Sequence, residues 1–321
     1  MNSTSRMDSD ALLENDSSSL RHEFLVVVMT ITAIVILVGN GLAIWAVYKN
    51  PVLQTPKNYI LASLAVTDLF SGLISIPLEL YNRHEETTCS FLLTSALSLL
   101  SYMFGLIAAL HYIAATTDRY VAVTRPLRYA VLITTQRVAM FVGLSWVASV
   151  IIIGIAFGIF SSVSAETPSI RCSGVHYTDP VQQGILYFVA VAITLFCITL
   201  LILNLKILQI AIHQSRRIAD VQMLFGPRDG TPGKVKAVKT TLVIVGVFCI
   251  CWLPTILSHI LAVTADLPKT VYITILDGSF VMISFSSAIT PYVYCFRDRP
   301  FRRAFLEGAE PFIKIFQRKS E

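Results

Sequence analysis

Seven separate stretches, at residues 24–48, 58–81, 91–120, 138–160, 184–212, 237–265 and 271–295, are each apolar over at least the roughly 20 residues that a helix needs to cross a bilayer. Segments of that kind have few folds open to them. Hydrocarbon offers no hydrogen bonds, so every backbone N–H and C=O must be satisfied within the segment, and a helix does this. A barrel would instead show ten-residue alternating segments, and none is present. Composition agrees: 55% of the 321 residues are hydrophobic and 14% charged, with mean hydropathy +0.68, whereas soluble chains carry about a quarter charged residues. The expected fold is therefore an all-α membrane protein, a seven-transmembrane helix bundle. Its parts are an N-terminal tail at 1–23, a membrane domain at 24–295 and a cytoplasmic segment at 296–321.

An odd number of spans puts the termini on opposite sides, and lysine and arginine decide which is which. With the N-terminus outside, 20 of the 25 fall on the cytoplasmic side and five (Arg6, Arg21, Arg83, Arg171 and Lys269) outside. The net charge of +5 is then a sum over two membrane faces, and it gives no reason to expect a nucleic-acid partner. Two glycosylation sequons, at Asn2 and Asn15, precede the first apolar run and agree with that orientation. The first 23 residues are polar, so no cleavable leader is expected.

Among six cysteines, Cys89 and Cys172 fall in polar segments on the oxidising side, and one disulfide between them is expected. Cys197, Cys249, Cys251 and Cys295 lie in or at the end of apolar runs and read as buried thiols. No metal-ligand ladder, phosphate loop or nucleophile constellation stands out, so neither a cofactor nor an enzyme is expected.

The segment 214–236 carries Gly226, Pro227, Gly230, Pro232 and Gly233, which predicts a loop between helical ends. After Cys295, Phe301 and Phe305 share one helical face with arginines beside them, which predicts a short amphipathic helix on the inner leaflet. A plain basic tail is the other reading.

Asp68 lies mid-membrane, where an aspartate costs about 3 kcal/mol on insertion scales. It must face the interior and find donors, water or a cation, with Asn40 as a polar neighbour; a protonated, merely hydrogen-bonded acid is the other reading. Pro254 and Pro291 each remove a backbone hydrogen bond within a span and kink it. Beside Trp252 such a kink makes a lever whose cytoplasmic end can swing.

In chain order the sequence shows Gly39-Asn40, Leu64-Ala65-Val66-Thr67-Asp68, Asp118-Arg119-Tyr120, Trp146, Phe248 with Cys251-Trp252-Leu253-Pro254, and Pro291 with Tyr294. This ordered set resembles class A, rhodopsin-like G-protein-coupled receptors over residues 24–307. The resemblance implies a plasma-membrane receptor whose partners are an extracellular ligand, a heterotrimeric G protein and membrane lipid. It makes Asp118, Arg119 and Tyr120 the cytoplasmic switch, Leu127 a contact for the G protein, Trp252 and Phe248 the relay beneath the ligand, and Tyr294 a residue that swings inward. Asp68 would be the sodium-linked hub. Several positions depart from the family: Thr290 replaces an asparagine, Ala108 a polar residue, Phe196 a proline, Asn204 a tyrosine and Thr94 the usual cysteine. Lys234 stands where many relatives carry an acid paired with the switch arginine, so basal signalling, reduced by Lys234→Glu, is expected.

Carried over position by position, the pocket would be lined by Glu79, Ser101, Tyr102, Gly105, Phe188, Thr255, His259, Phe280 and Ser284, with Asp277 near the mouth. Glu79, His259 and Asp277 read equally as solvated mouth residues. Ser101 occupies the place of the aspartate that binds biogenic amines, and Ser284 that of the lysine that binds retinal. The absent fifth-helix proline and displaced cysteine resemble the melanocortin, lipid, cannabinoid and adenosine group of receptors. Two alternatives stand beside a ligand-gated receptor: a receptor-fold partner that signals without ligand, and a transporter, which the lone deep Asp68 and the lack of repeats make remote.

Overall fold

The computed structural model describes the backbone at residues 2–84, 91–164, 180–225, 231–265, 268–297 and 299–318. Side chains are described at 19–81, 99–159, 190–217, 238–261, 264–265, 268, 271–295 and 299–310. Within these limits the chain is helical, and seven helical stretches are long and apolar enough to cross a membrane. The first span is the inner part of α1 (Asn2–Lys49), which runs back without a break through the polar segment expected only as a tail. The second is composite: α2 (Pro56–Phe70), a single π turn (Ser71–Ser75) and α3 (Ile76–His84). The others are α4 (Phe91–Thr124), α6 (Thr135–Ser164), α7 (Pro180–Phe225), α8 (Thr231–Thr264) and α9 (Lys269–Arg297). A four-residue helix, α5 (Tyr129–Leu132), lies between the third and fourth spans.

Local chemistry sets the turn between the first two spans. The Asn50 side chain accepts from the Val52 N–H at 3.1 Å, Asn58 Nδ2 donates to the Leu53 carbonyl at 2.8 Å, and Pro56 opens α2 at the position where its missing N–H costs nothing. In the same half of the bundle, Pro291 cannot give a hydrogen bond to the Ser287 carbonyl four residues back. Asn40 Nδ2 of α1 donates to that carbonyl instead, at 3.2 Å. An asparagine in the first span thus repairs the gap left by a proline in the seventh.

The first span packs between the second and the seventh, and the third sits centrally against the second, fourth, fifth and sixth. One apolar cluster occupies the middle of the bundle, around Leu64, Tyr112, Leu200, Phe248 and Trp252. A second, towards the end at which the chain leaves the seventh span, joins Ala46, Leu53 and Ala65 to α10 (Arg299–Arg318). That helix is amphipathic as expected: Phe301, Ala304 and Phe305 are buried, while Arg299, Arg302 and Arg303 are exposed. The fourth span is the least enclosed. Only 17% of its apolar window is buried against 56% for the sixth, so Val147, Ile151, Ile155 and Ile159 face outward as a lipid-contacting helix requires.

Candidate functional site

Towards the end of the bundle away from α10, α4 and α8 meet through a polar pair. The Tyr102 hydroxyl lies 2.9 Å from His259 Nε2, and His259 Nδ1 lies 2.7 Å from the Thr255 carbonyl. A carbonyl accepts only, so Nδ1 carries a proton, and in the neutral ring Nε2 accepts from the phenol. Glu79 and Tyr272 are near enough to act on the phenol electrostatically. One turn further in, Gly105 faces Trp252. A Cβ at Gly105 would stand 2.7 Å from the indole, so only glycine lets the ring approach α4 this closely. Thr255 Oγ1 is buried without a hydrogen-bond partner beside them. Asp277 is paired across the mouth with Arg21 of α1 at 3.4 Å. Ser101 is half-buried and Ser284 buried. Phe280 packs with Leu25, Met29 and Ile76, in the cluster shared by the first, second and seventh spans.

Beneath Trp252 the rings continue inward. Phe248 lies 5.6 Å from Trp252, and Tyr112 lies 4.6 Å from Phe248 between centroids. Asp68 is buried beside them, near Ser287, and its Oδ2 has no partner. Asn40, expected as its neighbour, is committed to the Ile36 and Ser287 carbonyls. A sodium ion here would find Asp68 Oδ2, yet Ala108 offers no oxygen, and the Thr290 hydroxyl donates to the Ser286 carbonyl at 2.9 Å. Those donors fall short of a cation's needs.

At the end of the bundle nearer α10, Asp118 divides its oxygens. Tyr129 of α5 donates to Oδ1 at 2.6 Å, while Arg119 Nη2 lies 3.1 Å from Oδ2 as an ion pair without hydrogen-bond alignment. Burial, then the hydrogen bond to the adjoining carboxylate, pushes the Tyr129 phenol well above its usual range and keeps it protonated. Tyr120 is exposed and Leu127 is 98% exposed. Tyr294 lies within electrostatic reach of Arg119 and packs on Phe301 at 6.1 Å. Asn204 Nδ2 donates to Thr116 Oγ1 at 3.0 Å, joining α7 to α4.

The side chains of Cys89, Cys172, Phe188, Lys234, Asn2 and Asn15 lie outside those described. Three residues that the sequence reading passed over are placed at junctions: Tyr112, Tyr129 and His111. His111 is fully buried, with Nδ1 2.7 Å from the Ile107 carbonyl and Nε2 2.8 Å from Ser63 Oγ, which also receives Trp146 Nε1 at 3.1 Å. The reasoning that singles out Asp68, an ionisable group inside a span, applies equally to His111.

The family model described as 7 transmembrane receptor (rhodopsin family) matches residues 39–294. The adenosine receptor A2b of Gallus gallus is 28% identical over 87% of this chain and 86% of its own. The histamine H2 receptor of Canis lupus familiaris is 28% identical over 87% and 77%, and the adenosine receptor A2a of Equus caballus 29% over 90% and 75%. With seven spans in order and a family match over most of its length, the chain belongs to the rhodopsin family of seven-transmembrane receptors, as a multi-pass plasma-membrane protein that couples to G proteins and is a receptor rather than an enzyme.

Proposed function

We propose that this receptor, with its N-terminus outside, takes a small extracellular ligand between the third and sixth spans and answers by moving α8 outward, which opens the Arg119 face to a G protein. The observation that carries this reading is the Tyr102–His259 pair standing one turn above the contact of Trp252 with Gly105. Two polar groups satisfy each other directly over the ring at the base of the sixth-span kink. A ligand that takes over either hydrogen bond therefore acts on the element next to the lever. Asp118, Arg119, Tyr120, Leu127 and Tyr294 form the coupling face, and Asp68, Phe248, Trp252, Pro254 and Pro291 the path between.

Adenosine and histamine receptors resemble this chain to the same degree, so likeness alone does not choose the ligand. The pocket chemistry narrows it. Ser101 supplies no carboxylate, and the deep polar groups, Tyr102, His259, Thr255 and Ser284, are neutral. The ligand we propose is a small molecule with a flat ring for Trp252 and a donor–acceptor edge for His259. Screening nucleosides and heteroaromatic amines against a panel of G-protein subtypes tests this. For any hit, Tyr102→Phe and His259→Ala are expected to lower potency at least about tenfold, the cost of stranding one buried polar partner. Unchanged potency in both, at parental surface expression, would place the ligand elsewhere.

A further inference from the structure

We infer that Arg137, in the first turn of α6, is the positioning residue for the loop that carries Leu127: its guanidinium fastens the end of α5 and so holds Leu127 where a G protein docks. The inference rests on the proposed coupling face and adds to it a residue that lies outside that face's motif set.

A helix of four residues does not stand by itself, because one turn fixes more of the backbone than its single hydrogen bond returns. Its last four carbonyls also lack partners within it. In α5 (Tyr129–Leu132) the Tyr129 carbonyl accepts from the Ile133 N–H at 2.9 Å, which closes the turn. Two further carbonyls are taken by a side chain from the next helix. Arg137 Nη1 has two hydrogens and donates to the Val131 carbonyl at 2.9 Å and to the Leu132 carbonyl at 3.0 Å. The positive charge also suits the C-terminal end of a helix. Arg137 reaches back from a fixed base: its N–H donates to Thr134 Oγ1 at 3.3 Å, and the Thr134 carbonyl accepts from the Val138 N–H at 3.0 Å, which caps α6. From Arg125 to Met140 the sequence contains no acid, so no carboxylate in this stretch draws the guanidinium away.

At its start α5 is tied to α4, where the Tyr129 hydroxyl donates to Asp118 Oδ1 at 2.6 Å. The loop is therefore held from two helices, and Leu127, almost wholly exposed, stands just ahead of the first tie. An apolar side chain in that position has no packing of its own to fix it. With both ties in place it is presented in one arrangement, and docking needs less ordering of the loop.

The test reads the loop and the docking separately. Full-length receptor in lipid nanodiscs carries a nitroxide on Ala130→Cys, an exposed position of α5, and electron paramagnetic resonance reads its mobility against the parent treated in the same way. Arg137→Ala should shift the spectrum to faster motion with neither ligand nor G protein present. Nucleotide exchange on a panel of G-protein subtypes, measured without ligand on the unlabelled receptor, gives the second readout. Arg137→Ala should raise the G-protein concentration for half-maximal exchange about two- to tenfold, the change that losing one net hydrogen bond gives, and leave the maximal rate as it is. Leu127→Ala should do the same, and the double variant should add little, since both remove one contact. Arg137→Lys, which keeps the charge and its donors, should recover part of the order and part of the affinity. An unchanged spectrum, a half-maximal concentration at the parental value, or fully additive effects of Arg137→Ala and Leu127→Ala would each overturn the positioning role. So would a fall in the maximal rate alone, the mark of general misfolding. A parent that drives exchange on no subtype, with the spectrum still responding, would leave the fastening in place and count against the coupling reading instead.

Discussion

Asp118 shows how much a single side chain can decide. Its aligned hydrogen bond goes to Tyr129, in the loop, and its unaligned ion pair to Arg119, the proposed switch. The bond to Tyr129 is the shorter and the aligned one, 2.6 Å against 3.1 Å for the unaligned contact, so Tyr129 sets the orientation of the carboxylate. Without the phenol, Asp118 is free to turn both oxygens on Arg119. Tyr129→Phe is therefore expected to lower ligand-independent recruitment several-fold at equal surface expression, and a rise would overturn this. Nothing in the sequence signals this residue. It lies on a four-residue helix with no periodicity to read, eleven positions from its partner, whereas Asp118 and Arg119 are legible because they form part of an ordered motif set. His111 was legible in principle, since any ionisable group within a span has to be explained, but a helix of otherwise apolar residues drew no attention to it.

For whole elements, hydropathy locates all seven spans, with ends up to eight residues off (91 against Leu99 for the third), because the length and apolarity that lipid demands are properties of the sequence itself. The π turn at Ser71–Ser75 is not legible in this way. It adds a residue to one turn and rotates α3, which carries Glu79, relative to α2, and it is set by packing against neighbouring helices rather than by local preference. The proline kinks lie between these cases: their positions are visible, but not what satisfies the carbonyls they release. Asn40 does so for Pro291, and a double-mutant cycle checks it. Asn40→Ala should cost roughly 1–3 kcal/mol of stability in the parent, the penalty for an unsatisfied buried carbonyl, and distinctly less in a Pro291→Ala background, where residue 291 regains an N–H. Equal costs in the two backgrounds would mean that the asparagine acts through its bond to Ile36 alone.

In the whole molecule, orientation rests on charge asymmetry and the sequons, and it is checked in cells. Asn2 and Asn15 should carry glycans, and an epitope after Glu321 should be reached by antibody only after permeabilisation; labelling of intact cells would reverse the topology. The fourth span carries a different consequence. It packs chiefly on the second and third spans among the described residues, and its main polar tie is Trp146 to Ser63. Its 25 residues extend about 37 Å at about 1.5 Å each, more than the roughly 30 Å of a typical hydrocarbon layer. In a thin bilayer this helix has to tilt, and it tilts about the indole that pins it. The serine under that pin also holds His111 of the third span, so the thickness of the membrane becomes an input to the helix that carries Arg119. In phosphatidylcholine of increasing chain length, the parent's thermal midpoint should therefore vary more steeply than that of Trp146→Phe. Parallel slopes would show that the pin transmits nothing; unequal ones would make lipid chain length a regulator acting from the side of the bundle, through a helix that touches neither the proposed pocket nor the proposed coupling face.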